Sequence, residues 1–147
     1  MADRPNIAGN RDSEIKDLIR RYIKEIDQEK VMQMLAEQSQ EWECYSAAVV
    51  SGKYQTALES SITYVAYEGD FLCGYSRSLD DCGFYIYVCD LLVRPECRGR
   101  NIGRGLLQCV SIDYPGRTVY VMSDEDGYYQ KLGFRKEGSV FEISSNS

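Results

Sequence analysis

The chain has 147 residues and a formal net charge of -6 at pH 7, with 44% hydrophobic and 27% charged residues. This length and composition predict a single globular domain over residues 1–147, with the polar residues 1–12 as a flexible N-terminus, and exclude a disordered or fibrous chain. The excess of acid argues against nucleic-acid binding, and no apolar run reaches the roughly 18 residues of a membrane-spanning helix.

The first part of the chain is predicted to be helical. Its polar start, MADRPNIAGNRDSE, lacks the apolar core of a signal peptide, so we expect a cytoplasmic protein with no membrane partner. Apolar residues at helical spacing then predict an amphipathic helix from Ile15 to Ile26, capped by Asp12 or Ser13. A second, short helix is predicted over Val31–Ala36.

The middle of the chain changes from helical to β-structure. The segment from Trp42 to Leu58 has mixed signals, and we interpret it as mostly helical but irregular, with Gly52 as a helix stop. After Ser60, apolar, β-branched and aromatic residues alternate with short turns, which is typical of strands. In chain order, strands are predicted at 61–67, 71–77 and 84–93, with turns at 68–70 and 79–83.

The last part of the chain predicts helices that alternate with strands. A loop rich in glycine and arginine follows Val93, and the helix after it, Ile102–Ile112, ends at Pro115-Gly116. A strand at 117–123, a short helix at 124–131 and a last strand or hairpin from Gly133 to Ile143 complete the chain. This order predicts an α/β or α+β fold with a sheet of about five to seven strands flanked by helices.

Cysteine and histidine usage restricts the chemistry. The chain has six cysteines, no CxxC pair and no histidine, which excludes zinc sites of the usual spacing, and we expect no metal. The missing histidine also excludes Ser-His-Asp and Cys-His catalysis. Acid–base chemistry must therefore use tyrosine, aspartate, glutamate, lysine, cysteine or water.

The loop VRPECRGRNIGRGLL, residues 93–107, concentrates positive charge in an acidic chain. Glycines between a strand and a helix leave backbone N–H groups free to face one point, with the positive end of the helix behind them. Asn101 is among the few residues besides glycine that tolerate positive φ. Diphosphate suits such a nest of amides, and a solvated turn is the alternative. Four arginines add positive charge: Arg94, Arg98, Arg100 and Arg104.

This loop has neither a GxxxxGK[ST] phosphate-binding motif nor a GxGxxG fingerprint with its βαβ unit. It resembles instead the acetyl-CoA-binding motif [QR]-x-x-G-x-[GA] of the GNAT superfamily of N-acetyltransferases, with Arg98 at the first position and Gly103 at the last. Asn101 stands where that family usually has glycine. A second segment, YYQKLGF at 128–134, is similar to the family's FYxKLGF. The resemblance covers Ser60 to Phe134, and no clear first strand of the family's sheet is visible.

The resemblance implies a mixed, mostly antiparallel sheet and a binding site for acetyl-CoA as the acetyl donor. Leu91, Leu92 and Val93, at the end of the central strand, would offer main-chain groups to the pantetheine arm. Tyr129 matches the tyrosine that protonates the departing CoA thiolate, whereas Tyr128 is expected to be a core aromatic. The residues implied to bind the diphosphate are Arg98, Gly99, Arg100, Asn101, Ile102, Gly103 and Arg104.

The sequence does not assign a general base. Some members of the family carry a glutamate or histidine at the positions of Tyr87 or Cys89. Asp90 lies on the opposite face of the predicted strand from these two residues, unless a bulge re-aims it. The remaining alternatives are Glu68, Asp124, Glu43 and a water chain.

The implied reaction is direct transfer of the acetyl group to a primary amine, on a small molecule or a peptide N-terminus. The alternative function is a non-catalytic module that binds CoA as a ligand or sensor. A homodimer is the assembly that we consider. The aromatic and acidic residues that would hold a cationic amine are Tyr22, Glu41, Trp42, Glu43, Tyr45, Tyr54 and Tyr64.

Overall fold

The computed structural model describes residues 18–38 and 48–145 of the chain. Its elements are β1 (Ile19–Arg21), α1 (Lys24–Ala36), α2 (Ala48–Ser60), β2 (Ile62–Glu68), β3 (Phe71–Asp81), β4 (Tyr85–Val93), α3 (Ile102–Asp113), β5 (Thr118–Val121) and α4 (Asp126–Lys131). The strands form one five-stranded sheet in the order β1-β2-β3-β4-β5. The first four strands pair antiparallel, and β5 is parallel to β4. This confirms the predicted mixed, mostly antiparallel sheet.

The apolar core occupies both faces of the sheet. On one face α3 contributes Leu106 and Val110, which pack against Tyr64 and Ile86 of the strands. On the other face, α1 and α2 pack against a second set of strand residues. Because both faces are covered, β2 and β3 are buried over most of their length, which accounts for their nearly continuous runs of apolar and aromatic residues.

The predicted helix from Ile15 to Ile26 is wrong within the described residues. Residues 19–21 form a strand instead, which pairs antiparallel with β2, and the helix begins only at Lys24. Ile19 is buried in the sheet, whereas Ile23 and Ile26, which the helical stripe would bury, are exposed. A strand of three residues shows too little alternation of apolar and polar residues to be recognised within a stretch that has helical spacing of apolar residues. The proposed caps Asp12 and Ser13 lie outside the described residues.

The buried carboxylate of Asp27 joins β1, α1 and β2. It accepts hydrogen bonds from the Arg20 guanidinium at 2.8 Å, from the Tyr67 hydroxyl at 2.6 Å and from the Ile23 amide at 2.7 Å. Burial raises the pKa of Asp27, but these hydrogen bonds outweigh it and the net pKa is lowered. The start of α1 is therefore set by contacts to two strands, and the short helix predicted over Val31–Ala36 is the second half of α1.

The predicted helix stop at Gly52 is also wrong, because α2 continues from Ala48 to Ser60. Glycine costs a helix about 1 kcal/mol relative to alanine. The burial of Tyr54 and Leu58 against the sheet offsets that cost. The irregular part predicted before α2, from Trp42 to Ala47, lies outside the described residues.

Strands β2, β3 and β4 confirm the three strands predicted in the middle of the chain, with one shifted turn. The turn at 68–70 is present, and Gly69 has a positive φ of 62°. The turn predicted at 79–83 lies instead at 82–84, because β3 continues to Asp81. Asp80 and Asp81 pair with Ile86 and Tyr85 of β4, so the hairpin closes only beyond them.

A bulge in β4 changes which face its residues occupy. Arg77 of β3 is paired with Asp90 and the next residue, Ser78, with Val88, so Cys89 is the extra residue. Before the bulge Ile86 packs in the cluster under α3, whereas beyond it Leu92 packs in the cluster under α1 and α2. Strict alternation would have put both on one face. The bulge therefore turns Asp90 to the α1–α2 face.

The C-terminal elements α3, β5 and α4 confirm the predicted helix, strand and short helix. The last predicted strand or hairpin is wrong, since residues 134–144 form neither a helix nor a strand. Within the described chain, no strand lies along the outer edge of β5 to pair with this segment. Its apolar side chains are consequently exposed, with Val140 at 77%, Phe141 at 85% and Ile143 at 92%. No helix in the described ranges has the length and apolar character to cross a membrane.

Candidate functional site

A wedge-shaped cleft opens where the parallel strands β4 and β5 part. Their pairing runs from Tyr85 with Thr118 to Val88 with Val121, and the Met122 amide donates the last bond to the Val88 carbonyl at 3.1 Å. Strand β4 then continues to Val93, and among the described residues no strand pairs with this part on the β5 side. The end of β4 therefore presents an open main-chain edge to the cleft at Leu91 and Val93, whereas the main-chain groups of Leu92 face its partner Tyr75 on β3.

The loop between β4 and α3 leaves a row of backbone donors open. After a 3-10 turn at Pro95–Cys97, Gly99 has φ 83° and Asn101 has φ 63°, so Asn101 adopts the positive φ expected of it. The amides of residues 99–104 have no acceptor in the part of the chain that the structure describes, and the Gly105 amide makes the first helical bond, to the Asn101 carbonyl at 2.9 Å. These donors lie at the positive end of a helix of 12 residues. The arrangement suits an anion.

Two of the four arginines of the loop are already paired with acids. The Arg94 guanidinium forms an ion pair with Glu37 after α1, and its Nε donates to the Leu72 carbonyl at 2.7 Å. Arg100 forms an ion pair with Glu68 at the end of β2, with 2.7 Å between Nη1 and Oε2. In the ligand-free structure these two side chains are therefore engaged with acids of the described chain, and the Arg100 amide remains in the open row.

The other two arginines of the loop are Arg98 and Arg104. The Nε of Arg98 donates to the Val93 carbonyl at 3.2 Å, which ties the end of β4 to the start of the loop. Arg104 is exposed on the first turn of α3 and forms no ion pair with any described residue. These two side chains are the ones available to add positive charge near the open amides.

A cavity of about 360 Å³ adjoins the loop. It is lined by residues of β1, by the end of β2, by Cys73 and by residues 99–102, and by none from β4, β5 or α4. The cavity shares residues 99–102 with the row of open amides, and the Arg100–Glu68 pair belongs to its wall.

Helix α4 carries two adjacent tyrosines, and the prediction for one of them is wrong. A Cβ added to Gly103 would lie 2.3 Å from the Tyr128 hydroxyl oxygen, so this hydroxyl rests on the first turn of α3. Tyr128 is 38% exposed and is not the core aromatic that we expected. The ring of Tyr129 is perpendicular to that of Tyr128, with centroids 5.0 Å apart. Burial, then the nearby Asp124, raises the pKa of Tyr129 to about 12.

Asp90 belongs to a buried polar network. Its Oδ2 accepts from Arg77 Nε at 2.6 Å and from the Tyr54 hydroxyl at 2.7 Å, and Tyr54 also lies 2.8 Å from the Tyr75 hydroxyl. Burial lowers the pKa of Arg77, but the bond and charge of Asp90 outweigh it and the net pKa is raised. Asp90 therefore neutralises the guanidinium of Arg77, which is largely buried. Of the other candidate bases, Glu68 is paired, Asp124 is exposed and Glu43 lies outside the described residues.

We expect Asp90→Asn to lower the free energy of unfolding by about 3 kcal/mol, because it leaves the Arg77 charge buried without its partner. Urea denaturation measures this loss. The control is Asp81→Asn, at the exposed end of β3, which removes the same charge and should change stability by less than about 0.5 kcal/mol. Equal stability of the two variants would contradict the structural role of Asp90.

Of the residues expected to hold an amine, the structure describes three. Tyr54 and Tyr64 are buried in the core, and Tyr64 donates to Asp113 at 2.5 Å, so neither lines an open site. Tyr22 is half-buried. Glu41, Trp42, Glu43 and Tyr45 lie outside the described residues. A different aromatic cluster was not predicted from the sequence. It consists of Tyr85, Tyr87 and Tyr120, and its ring centroids are 5.5 to 6.3 Å apart.

This aromatic cluster lies at the base of the cleft. Tyr87 and Tyr120 are register partners, one position before the last pair of β4 and β5. These rings come from two separate strands, and only the pairing of the strands brings them together. In the described ranges, no group of three or more histidine, cysteine, aspartate or glutamate side chains has an arrangement that would hold a metal ion.

Comparison with known families gives one match. The sequence model of the acetyltransferase (GNAT) domain matches residues 59–136, which include β2 to α4 and therefore the cleft, the loop and both tyrosines of α4. No curated protein matches the sequence.

Solved structures with the same fold are distant in sequence. An aminoglycoside acetyltransferase from an uncultured soil metagenomic sample has 24% identity and a TM-score of 0.66, over 86% of this chain and 96% of that one. A GNAT family protein from Streptococcus pneumoniae has 21% identity and a TM-score of 0.62, over 86% and 97%. A GNAT family protein described as a putative acetyltransferase, from Xanthomonas campestris pv. campestris, has 21% identity and a TM-score of 0.62, over 81% and 85%.

Proposed function

Because this chain belongs to the GNAT acetyltransferase family, we propose that it transfers the acetyl group of acetyl-CoA to a primary amine by direct attack on the thioester. One observation carries the proposal. The row of open amides at residues 99–104 adjoins the unpaired edge of β4, so a single extended ligand with a diphosphate and an amide-containing arm fits both.

The donor site uses main-chain groups more than side chains. The amides of Gly99, Arg100, Asn101, Ile102, Gly103 and Arg104 would bind the diphosphate, and Arg98 and Arg104 would add charge. The main-chain groups of Leu91 and Val93 would pair with the amide groups of the pantetheine arm as an added strand does, whereas those of Leu92 face β3. Their side chains are no obstacle, because Leu91 and Val93 pack against the α3 core while their backbones face the cleft.

In the proposed reaction the amine nitrogen forms a bond to the carbonyl carbon of the thioester, and the bond from that carbon to sulfur breaks. Tyr129 donates its phenolic proton to the departing thiolate and regains one from solvent. A backbone N–H of β4 stabilises the negative charge on the carbonyl oxygen. Since Asp90 is committed to Arg77, we assign the removal of the amine proton to water. Cys97 and Cys109 are buried, which makes a covalent acyl-enzyme on either unsuitable.

The acceptor class is proposed at the level of a primary amine. The aromatic cluster at the base of the cleft supports an amine with cationic or aromatic character, because tyrosine rings attract both. One protein of the same fold is an aminoglycoside acetyltransferase, but at 24% identity it supports only the inclusion of aminoglycosides among the amines to be tested.

The cytoplasm is the proposed location, and a homodimer is the proposed assembly. The open outer edge of β5 and the exposed side chains of Val140, Phe141 and Ile143 support self-association. Light scattering of the purified chain tests the assembly, and a monomer at micromolar concentration would contradict it.

The test of function is the release of free thiol from acetyl-CoA in the presence of different amines. We expect turnover with at least one member of a panel of monoamines, polyamines, amino acids, peptides and aminoglycosides. The alternative, a CoA sensor without catalysis, predicts thermal stabilisation by CoA and no thiol release with any amine. The match of Tyr129 to the family's catalytic tyrosine favours the enzyme.

A further inference from the structure

The hydroxyl of Tyr128 occupies an unusual place on the wall of the cleft. It lies so close to the first turn of α3 that a single added methyl group on Gly103 would approach it to 2.3 Å. The side chain of Tyr128 therefore reaches from α4 to the end of the loop where the amides of residues 99–104 are open. Among the described residues, no acceptor is bonded to this hydroxyl.

The Tyr128 hydroxyl can donate a hydrogen bond. Burial raises the pKa of Tyr128, and the charge of Arg98 opposes that rise only in part, so the hydroxyl keeps its proton at neutral pH. The neutral Tyr128 hydroxyl lies beside several open N–H groups, and it donates to no acceptor among the described residues. An incoming diphosphate supplies charged acceptor oxygens at that point, and hydrogen bonds to charged acceptors are the strong ones.

We propose that Tyr128 is a positioning residue for the donor, whose hydroxyl donates a hydrogen bond to the diphosphate of acetyl-CoA beside the amide of Gly103. The inference rests on the proposed function, because it needs acetyl-CoA in the cleft. It also separates the roles of the two neighbouring tyrosines. Tyr128 binds the diphosphate at the α3 end of the cleft, whereas Tyr129 acts at the thioester.

The first measurement is the Kd for CoA of the Tyr128→Phe variant, determined by calorimetry. This change removes one oxygen and keeps the ring, and we expect the Kd to rise about tenfold. The control variant is Tyr114→Phe, which removes a hydroxyl from a half-buried tyrosine at the far end of α3 and should leave the Kd unchanged. Thermal melting of both variants checks that they are folded.

The second measurement shows which part of the donor the hydroxyl contacts. With acetyl-CoA, we expect kcat/KM of Tyr128→Phe to fall about tenfold through KM, with kcat unchanged. With S-acetylpantetheine, which has no diphosphate, kcat/KM should stay within about twofold of the wild type. A loss confined to KM with the diphosphate-bearing donor is not expected from a merely structural tyrosine.

Three results would overturn the inference. An equal loss of kcat/KM with both donors would mean that the Tyr128 hydroxyl does not contact the diphosphate. An unchanged Kd for CoA would mean that it makes no contact with CoA. A lower Kd in Tyr128→Phe would mean that the hydroxyl obstructs the donor instead of binding it. If the wild-type chain bound no CoA, the proposed function would fail together with this inference, whereas the first three results leave that function intact.

Discussion

Gly103→Glu is expected to raise the Kd for CoA at least about 100-fold. The added carboxylate would lie among the open amides, within a few ångström of the two phosphates, where like charges cost about 4 kcal/mol for each close pair at an intermediate dielectric. The side chain would also meet the Tyr128 hydroxyl, since even a Cβ at this position comes within 2.3 Å of it. Calorimetric titration with CoA measures the loss.

Two controls separate this effect from charge and folding in general. Gln108→Glu adds the same charge to an exposed position of α3, more than one helical turn further on, and should change the Kd less than about threefold. We expect Gly103→Glu to fold, because the atom closest to the new side chain is the Tyr128 hydroxyl, which is the end of a side chain and can move. Thermal melting checks this. A folded Gly103→Glu variant with wild-type affinity for CoA would refute the donor site.

Tyr129→Phe is expected to lower kcat by about 100-fold or more while the Kd for CoA stays within about twofold. A positioned general acid contributes about 10² to 10⁴ to a rate, and this change removes the proton without removing the ring. Steady-state kinetics with the best amine of the panel measure kcat. Tyr114→Phe is again the control for loss of a phenol, with no expected change in kcat.

The pH dependence gives Tyr129 a second signature. An acid must carry its proton to act, so its contribution is present below its pKa and is lost as the pH rises through it. Burial and the nearby Asp124 raise the pKa of Tyr129 to about 12, which keeps the phenol protonated where an ordinary tyrosine is half ionised. We therefore expect no alkaline fall of kcat from this group below about pH 10. A fall near pH 9 that Tyr129→Phe abolishes would contradict the assignment.

Stretches whose structure depends on local interactions were predicted well. A helix after a glycine-rich loop, a positive φ at Asn101 and an apolar central strand are each encoded within about a dozen residues, so the loop and the end of β4 were identified in advance. The open amides follow from the same local geometry, because the first turn of any helix lacks internal acceptors. Errors arose where local patterns were ambiguous, as with the short strand at residues 19–21.

The charges of the site were beyond local prediction. Arg94 and Arg100 belong to the same arginine-rich loop as Arg98, yet they pair with Glu37 and Glu68, which are more than 30 positions away in sequence. Likewise, the face occupied by Asp90 depends on a bulge that exists only because β3 and β4 pair in a particular register. Contacts between distant segments cannot be deduced from the spacing within either one.

The sequence by itself determined the loop, its open amides and the two tyrosines of α4, because each depends on residues close together in the chain. The tertiary structure alone decided that Tyr128 rests on Gly103, that Asp90 neutralises Arg77 and that three tyrosines meet at the base of the cleft. The physical reason is that these contacts join separate elements of the fold. Side-chain direction across such a contact is set by how helices and strands pack, and the packing balances every element of the domain at once.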